Sequence, residues 1–431
     1  MRLGGRAQAA IEILDDIGNR NRPVTDVLKD WGISHRFAGS GDRSAIGNIV
    51  YDTLRKKASQ SWRMNDETSP ALVIATLLGQ WDMTPEEIAD DFRDDKFAPE
   101  LPLEVFGNTY LGHDLDDAPD FIQADIPEIA VGEFVIAFGK DWVSEGKGLA
   151  EQPPLDLRVN TLKADRDKVL KRLARFSAKP CAIAPEGIRI EPLPRGKRLP
   201  NVQAEAGYQK GWFEIQDQGS QIAALLSGAK PGDQVMDFCA GGGGKTLALS
   251  ALMQNRGQIH AHDSDRRRLA PIHERLKRAG ARNVQVHRPA QVPADLENRM
   301  DCVMVDAPCT GSGTWRRRPD AKWRLSENNI AQRRQEQADI LTDAARYVRP
   351  GGHLVYITCS LFPAENINQI NGFLTGNDKF FLRPVDAIEA ELKQLSNFAH
   401  FPLKDRAMVQ ITPALTKTDA FFIALLEKRR D

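Results

Sequence analysis

DFCAGGGGKTLALSALM, residues Asp237–Met253, sets four consecutive glycines between the end of a strand pattern, QVMDFC, and a run with helical spacing. Glycine at such a junction lets a ligand approach the backbone, and the helix N-terminus beyond it favours anionic or polar groups. Downstream the alternation continues. QIHAHD, NVQVH, DCVMVD and HLVYITC read as short strands separated by helical stretches, and MVQIT and AFFIALL follow near the end. Strands interleaved with helices predict a doubly wound, mainly parallel sheet over residues 213–431, an α/β, Rossmann-like domain.

Upstream the pattern changes. From Met1 to about Gly139 apolar residues recur at helical spacing, as in AQAAIEILDDI, RSAIGNIVYDTLRKK and ALVIATLLGQW, which predicts an all-helical domain over residues 1–145. Proline-bearing EQPPLDLRVN marks a boundary near Glu151. A strand at Leu157–Asn160, a helix at Asp165–Phe176 and the strand GIRIEPL then make a small α/β lead-in module, residues 146–212.

A length of 431 residues exceeds one ordinary core, so more than one domain is expected on size alone. With 58 Lys+Arg against 59 Asp+Glu, the chain is no polycation, and a nucleic-acid partner would have to be held by a local basic patch. No run approaches the length of a membrane span, and the N-terminus lacks the features of a signal peptide, so a cytoplasmic protein without membrane contact is expected. Nothing in the sequence fixes the oligomeric state; a monomer is the expectation.

Three ligands compete for the glycine loop. A phosphate-binding P-loop needs glycine six positions before its lysine, but Cys239 stands there relative to Lys245. A dinucleotide fingerprint needs a third glycine where Thr246 stands. S-adenosylmethionine remains, since it needs a glycine-lined turn but no phosphate cradle. An acid at the end of the second strand suits its ribose, and Asp263 lies 263 − 244 = 19 residues past Gly244, the usual distance for a ribose-binding carboxylate. The alternative is that the glycines only turn the chain and Asp263 caps the next helix.

The five cysteines, Cys181, Cys239, Cys302, Cys309 and Cys359, lack the spacing of a metal site or a disulfide framework, and no metal is expected. Cys181, Cys239 and Cys302 read as core thiols. Cys309 and Cys359 differ, because each follows a strand in a loop, in VMVDAPCTGSGTWRRRPDAKWR and LVYITCSLFPAEN. Two thiols at the carboxyl edge of a sheet, beside a methyl donor, point to covalent catalysis at a pyrimidine. Carbon 5 is too weak a nucleophile to attack a sulfonium methyl until a thiolate has added at carbon 6.

The same motifs carry a family resemblance. DFCAGGGGKT, DAPCTGSGTWRRRPDAKW, VRPGGHLVYITCSLFPAEN and TDAFFIALL, with LRVNTLK and FEIQDQGSQ upstream, resemble the Fmu/Sun (RsmB-like) branch of the RNA cytosine-5 methyltransferases, and DRSAIGNIVYDTLRKK resembles part of its NusB-like helical domain. The resemblance implies a Rossmann-like class I methyltransferase sheet, S-adenosylmethionine as cofactor and RNA, ribosomal RNA first, as partner. It implies that Cys359 is the nucleophile and that Cys309 assists product release. Spacing alone leaned the other way, because DNA cytosine-5 methyltransferases place their nucleophile in a Pro-Cys turn. Asp306 and Lys245 match groups that hold the target cytosine. Cys239, Ala240, Gly241, Gly242, Gly243, Gly244 and Lys245, with Asp263, Arg268 and Asp306, match cofactor-binding positions.

Two departures stand out. The family has alanine and proline at the positions of Gly241 and Gly242, so a looser loop is expected. After the third strand, where the family has an aspartate for the adenine amino group, stand Pro289, Ala290 and Gln291, with Gln291 or a backbone carbonyl as the substitute. These departures keep a second reading open, a catalytically idle RNA-binding or ribosome-assembly factor that retains the fold. Lys245 is the group expected to lower the nucleophile's pKa. The basic run Arg316–Arg324, with Trp315 and Trp323, is expected to face RNA.

Overall fold

The computed structural model describes residues 1–194, 196–197, 199–289, 294–383, 403–404 and 407–430. The chain forms two compact units. One comprises Met1–Pro153, Pro192–Leu199 and Thr314–Ser326, and the other Pro154–Glu191, Pro200–Gly313 and Glu327–Asp431. The sequence pattern drew three segments. By contact, most of the lead-in module falls in the same unit as the large sheet, and a short piece from the middle of the catalytic-domain sequence joins the helical unit.

In the second unit, residues 155–215 supply β1 (Leu155–Val159), β2 (Lys179–Pro180), β3 (Gly187–Ile190) and β4 (Phe213–Ile215). They pair antiparallel in the order β2-β3-β1-β4. Asp165 caps the helix Arg166–Leu173 by accepting the Lys168 N–H at 2.8 Å. Asn160, just past β1, anchors this module to the rest of its unit: its side-chain amide donates to the Ala279 carbonyl at 2.8 Å, as well as to the Gly211 carbonyl within the module at 2.9 Å. That bonding is a physical reason why the module is not a separate body.

The large sheet contains β5 (Gln234–Asp237), β6 (Gln258–Ala261), β7 (Val284–Val286), β8 (Met300–Asp306), β9 (Val348–Thr358), β10 (Phe380–Leu382), β11 (Leu403–Lys404), β12 (Met408–Ile411) and β13 (Phe421–Lys428). Its order is β11-β12-β13-β9-β8-β5-β6-β7, with β10 on β13. Strands β5 to β9 pair parallel, and β13 is inserted antiparallel beside β9. Parallel strands are covered on both faces, which is why they read as apolar runs. Cys302 and Met304 face one core with Val235 and Leu249, while Val303 and Val305 face the other with Met236 and Leu341. Each such side chain contributes about 1.5–3 kcal/mol when fully buried. From β5 the chain winds to β6 and β7, then returns to build β8 and β9 on the other side. The carboxyl ends of β5 and β8 therefore flank the switch point where such sheets bind ligands.

In the helical unit, Leu3–Arg20, Ser40–Arg55 and Ser69–Gly79 pack around Ile13, Ile46, Ile49, Ile74 and Leu77. The segment Thr314–Ser326 belongs to this packing, which corrects the expectation of an RNA-facing loop. Trp315 is fully enclosed and stacked on Phe134, with centroids 5.9 Å apart. Arg316 is buried, and its carbonyl accepts from Arg55 Nε at 2.7 Å. The Lys322 ammonium donates to the carbonyls of Arg55 and Asp125, both at 2.6 Å, and burial lowers its pKa to about 8. Trp323 Nε1 donates to the Leu54 carbonyl at 2.7 Å. Of the arginines in the run, Arg318 alone is exposed. No described helix is long and apolar enough to cross a membrane.

Candidate active site

The glycine loop follows β5. Gly241 and Gly243 have φ of +50° and +81°, and Gly243 precedes the helix Gly244–Leu252. A Cβ on Gly243 would meet Ile272 Cγ1 at 2.6 Å, so both conformation and space demand glycine there. Gly241 is different: a Cβ would find its nearest neighbour, Arg268 Nη2, at 3.6 Å.

Three hydrogen bonds fix the loop's path, a counterweight to the looseness expected from four glycines. Gly241 N–H donates to Asp263 Oδ2 at 2.9 Å, Gly243 N–H to the Ala240 carbonyl at 2.9 Å, and Arg275 Nη1 to the Gly242 carbonyl at 2.6 Å. Asp263, past the end of β6, is 2% exposed and also accepts the Asp265 N–H at 2.8 Å. Arg268 Nη1 lies 3.8 Å from it on an exposed helix. Cys239 is buried, and burial pushes its thiol pKa well up, as for a core cysteine.

Asp237, the last residue of β5, was missed by sequence reading. Its Oδ2 accepts from Thr246 Oγ1 at 2.6 Å, but Oδ1 is buried without a donor. Burial raises this carboxyl to about 7, with the Asp306 charge adding to the rise. A loop with little side-chain bulk, a carboxylate at the next strand end and an orphaned acceptor beneath them suit a ligand rich in donors, as the hydroxyl and amino groups of S-adenosylmethionine are. Among the positions after β7, Ala290 and Gln291 lie outside the described residues. Nearby, His260 Nδ1 and His287 Nε2 sit 2.9 Å apart, a pair the pattern did not signal.

At the switch point, Lys245 Nζ pairs with Asp306 Oδ2 at 2.7 Å, Asp306 being the more exposed of the two. The Lys245 ammonium also lies 5.1 Å from the centre of the Phe421 ring. It is expected from the sequence to serve a thiol; the partner seen here is the Asp306 carboxylate. Cys309 and Cys359, 50 residues apart, come together with Sγ atoms 3.4 Å from each other. Both are partly accessible. The Cys309 thiol pKa is pushed well up, first by its hydrogen bond with Cys359, then by burial, and further by Cys359 and Glu365 charge. Among the described residues no group of three or more His, Cys, Asp or Glu could hold a metal ion.

The loops bearing the two thiols are joined through Glu365, also unforeseen. Thr310 donates to it through N–H and Oγ1, at 2.8 and 2.6 Å, and Ser360 Oγ at 2.5 Å. The Gly313 N–H donates to the Cys359 carbonyl at 2.9 Å, a second link between the loops.

Comparison with known proteins adds to this geometry. Residues 224–427 match the family model for 16S rRNA methyltransferase RsmB/F, and residues 127–193 match the ferredoxin-like domain of RsmF/B-like methyltransferases. The probable ribosomal RNA small subunit methyltransferase B of Synechocystis is 32% identical over 64% of this chain. The match spans 61% of that relative's own length. A methyltransferase homolog protein from Pyrococcus horikoshii, solved as a crystal structure, is 27% identical, aligning over 72% of this chain and 97% of its own with a TM-score of 0.57. Another solved structure, 24% identical, aligns over 99% of this chain and 100% of its own with a TM-score of 0.73, a likeness of fold.

Proposed function

Because the chain belongs to the RsmB/F methyltransferase family, we propose that it methylates carbon 5 of a cytosine in RNA, with ribosomal RNA as the substrate class, through a covalent cysteine adduct. The observation that carries this reading is the thiol pair, two cysteines from separate loops with sulfurs 3.4 Å apart at the carboxyl edge of the sheet. A single buried thiol has no such partner. S-adenosylmethionine would be held by Gly241–Gly244, Asp263 and Asp237, and it would supply an electrophilic methyl group.

The chain's own residues do the rest. The target base must leave its stack, since a thiolate cannot reach carbon 6 within one. Cys359 adds to carbon 6, and electron density moves to carbon 5 and toward N3. Lys245 opposes that charge as a cation, and Asp306 accepts hydrogen bonds from the amino edge. Their ion pair at 2.7 Å holds both groups in place before the base arrives. Cys309, its sulfur 3.4 Å from that of Cys359, is placed to assist release after methyl transfer, when the carbon 5 proton is removed and Cys359 leaves. The helical unit is proposed as a NusB-like RNA-binding domain.

Incubation with ribosomal RNA and S-adenosylmethionine carrying a tritiated methyl group, followed by digestion to nucleosides, tests the reading. Label should appear in 5-methylcytidine. Folded protein that leaves every naturally unmodified ribosomal RNA unlabelled at millimolar cofactor would favour the idle assembly factor.

A further inference from the structure

Glu365 is completely buried, yet its carboxylate receives four donors from three parts of the chain. Thr310 N–H and Oγ1 come from the Cys309 loop, Ser360 Oγ from the Cys359 turn, and Gln337 Nε2, at 3.1 Å, from the helix Glu327–Ala345. The same Gln337 amide donates to the Pro308 carbonyl at 2.9 Å. Residues on both sides of Cys309 are thereby fixed to one scaffold. The residues around Cys359 are fixed to the same scaffold by Asn366, which accepts from Thr358 Oγ1 at 2.6 Å and donates to the Ser360 carbonyl at 2.9 Å. The Glu365 carbonyl in turn accepts from Tyr356 at 2.7 Å.

A buried carboxylate costs free energy unless its acceptor sites are filled, and here they are filled by groups adjacent to the two thiols. Two of the four, the Thr310 N–H and the Gln337 amide nitrogen, can only donate, which suits the ionised acid. Burial raises its pKa, and the donors act against that rise.

We propose that Glu365 is the positioning residue of the thiol pair, setting the separation of Cys309 and Cys359 through Thr310 and Ser360. It touches neither RNA nor cofactor in this role. The proposal rests on the reading that both thiols act in one reaction, but the separation itself is measurable without any catalysis.

The probe is diamide, which takes two hydrogen atoms from a pair of adjacent thiols to leave a disulfide and the reduced hydrazine. In the full-length protein, mass spectrometry of the Cys309–Cys359 peptide follows the rate. Glu365→Ala should slow crosslinking at least about tenfold and lower kcat by a similar factor with KM for the cofactor unchanged. Glu365→Gln keeps the shape and can still bond to both loops, so it should recover most of the rate. Should Glu365→Ala not fold, Thr310→Val removes one link and should slow crosslinking severalfold. Folded Glu365→Ala or Thr310→Val with wild-type crosslinking would overturn the proposal. Slowed crosslinking in a protein whose wild type methylates no RNA would uphold the positioning role and remove the catalytic reading instead.

Discussion

Trp315→Ala distinguishes a buried strap from an RNA-facing loop. The indole is 0% exposed and stacked on Phe134. An aromatic side chain buries about 150–250 Å², and at about 25 cal/mol per Å² that is about 4–6 kcal/mol of transfer free energy. Truncations of buried Phe or Trp to Ala cost about 3–5 kcal/mol, so about 4 kcal/mol is expected here. For a body of roughly 150–250 residues, 1 kcal/mol moves Tm by about 2–4 °C. The transition of the helical unit should fall by about 8–16 °C in a circular-dichroism melt. Well below that transition, RNA affinity and its salt dependence should match the wild type. A shift under about 2 °C, together with weaker and less salt-dependent RNA binding, would refute the packing argument and return the loop to the RNA.

Asp263→Ala should weaken cofactor binding by about 1.5–3 kcal/mol, the scale of a hydrogen bond to a charged group, read by calorimetry as roughly a 10- to 150-fold rise in Kd. The loss includes the Gly241 anchor, and an unchanged Kd would show that the ribose is held elsewhere. Asp237 carries a pH signature. Its pKa is raised from 3.8 to about 7, so its favourable contribution is full below 3.8 and is lost as pH rises through 7. The loss amounts to about 4 kcal/mol. Asp237→Asn lacks this slope and should gain stability relative to the wild type between pH 4 and 8 in urea unfolding; a constant difference across that range would contradict the titration.

The parallel core was legible because strands covered on both faces leave continuous apolar runs, as in DCVMVD and HLVYITC. The glycine loop and Asp263 were legible for a related reason, since their spacing is local to one strand-loop-helix-strand unit. Glu365 and Gln337 carried no such mark. Glu365 is defined by Thr310, 55 residues earlier, and Gln337 by Pro308 and Glu365, 29 and 28 residues away. Asp237 looked like an ordinary strand-end acid until its burial was known. The basic segment was misread because arginine with tryptophan is the composition of both an RNA loop and a buried strap. The difference lies in its partners: the Lys322 ammonium finds the Arg55 carbonyl across 267 residues of sequence and Trp323 finds Leu54 across 269. No local pattern encodes acceptors so distant.

The division of labour between the two thiols is the central claim, and trapping the RNA adduct tests it most directly. Cys309→Ala and Cys359→Ala would each be incubated with ribosomal RNA and S-adenosylmethionine and run under denaturing conditions. Cys309→Ala should complete the addition at carbon 6, fail to release, and accumulate an RNA–protein band of higher mass, while Cys359→Ala should give neither adduct nor methylation. An adduct in Cys359→Ala with none in Cys309→Ala would contradict the assignment and make the Pro-Cys thiol the nucleophile.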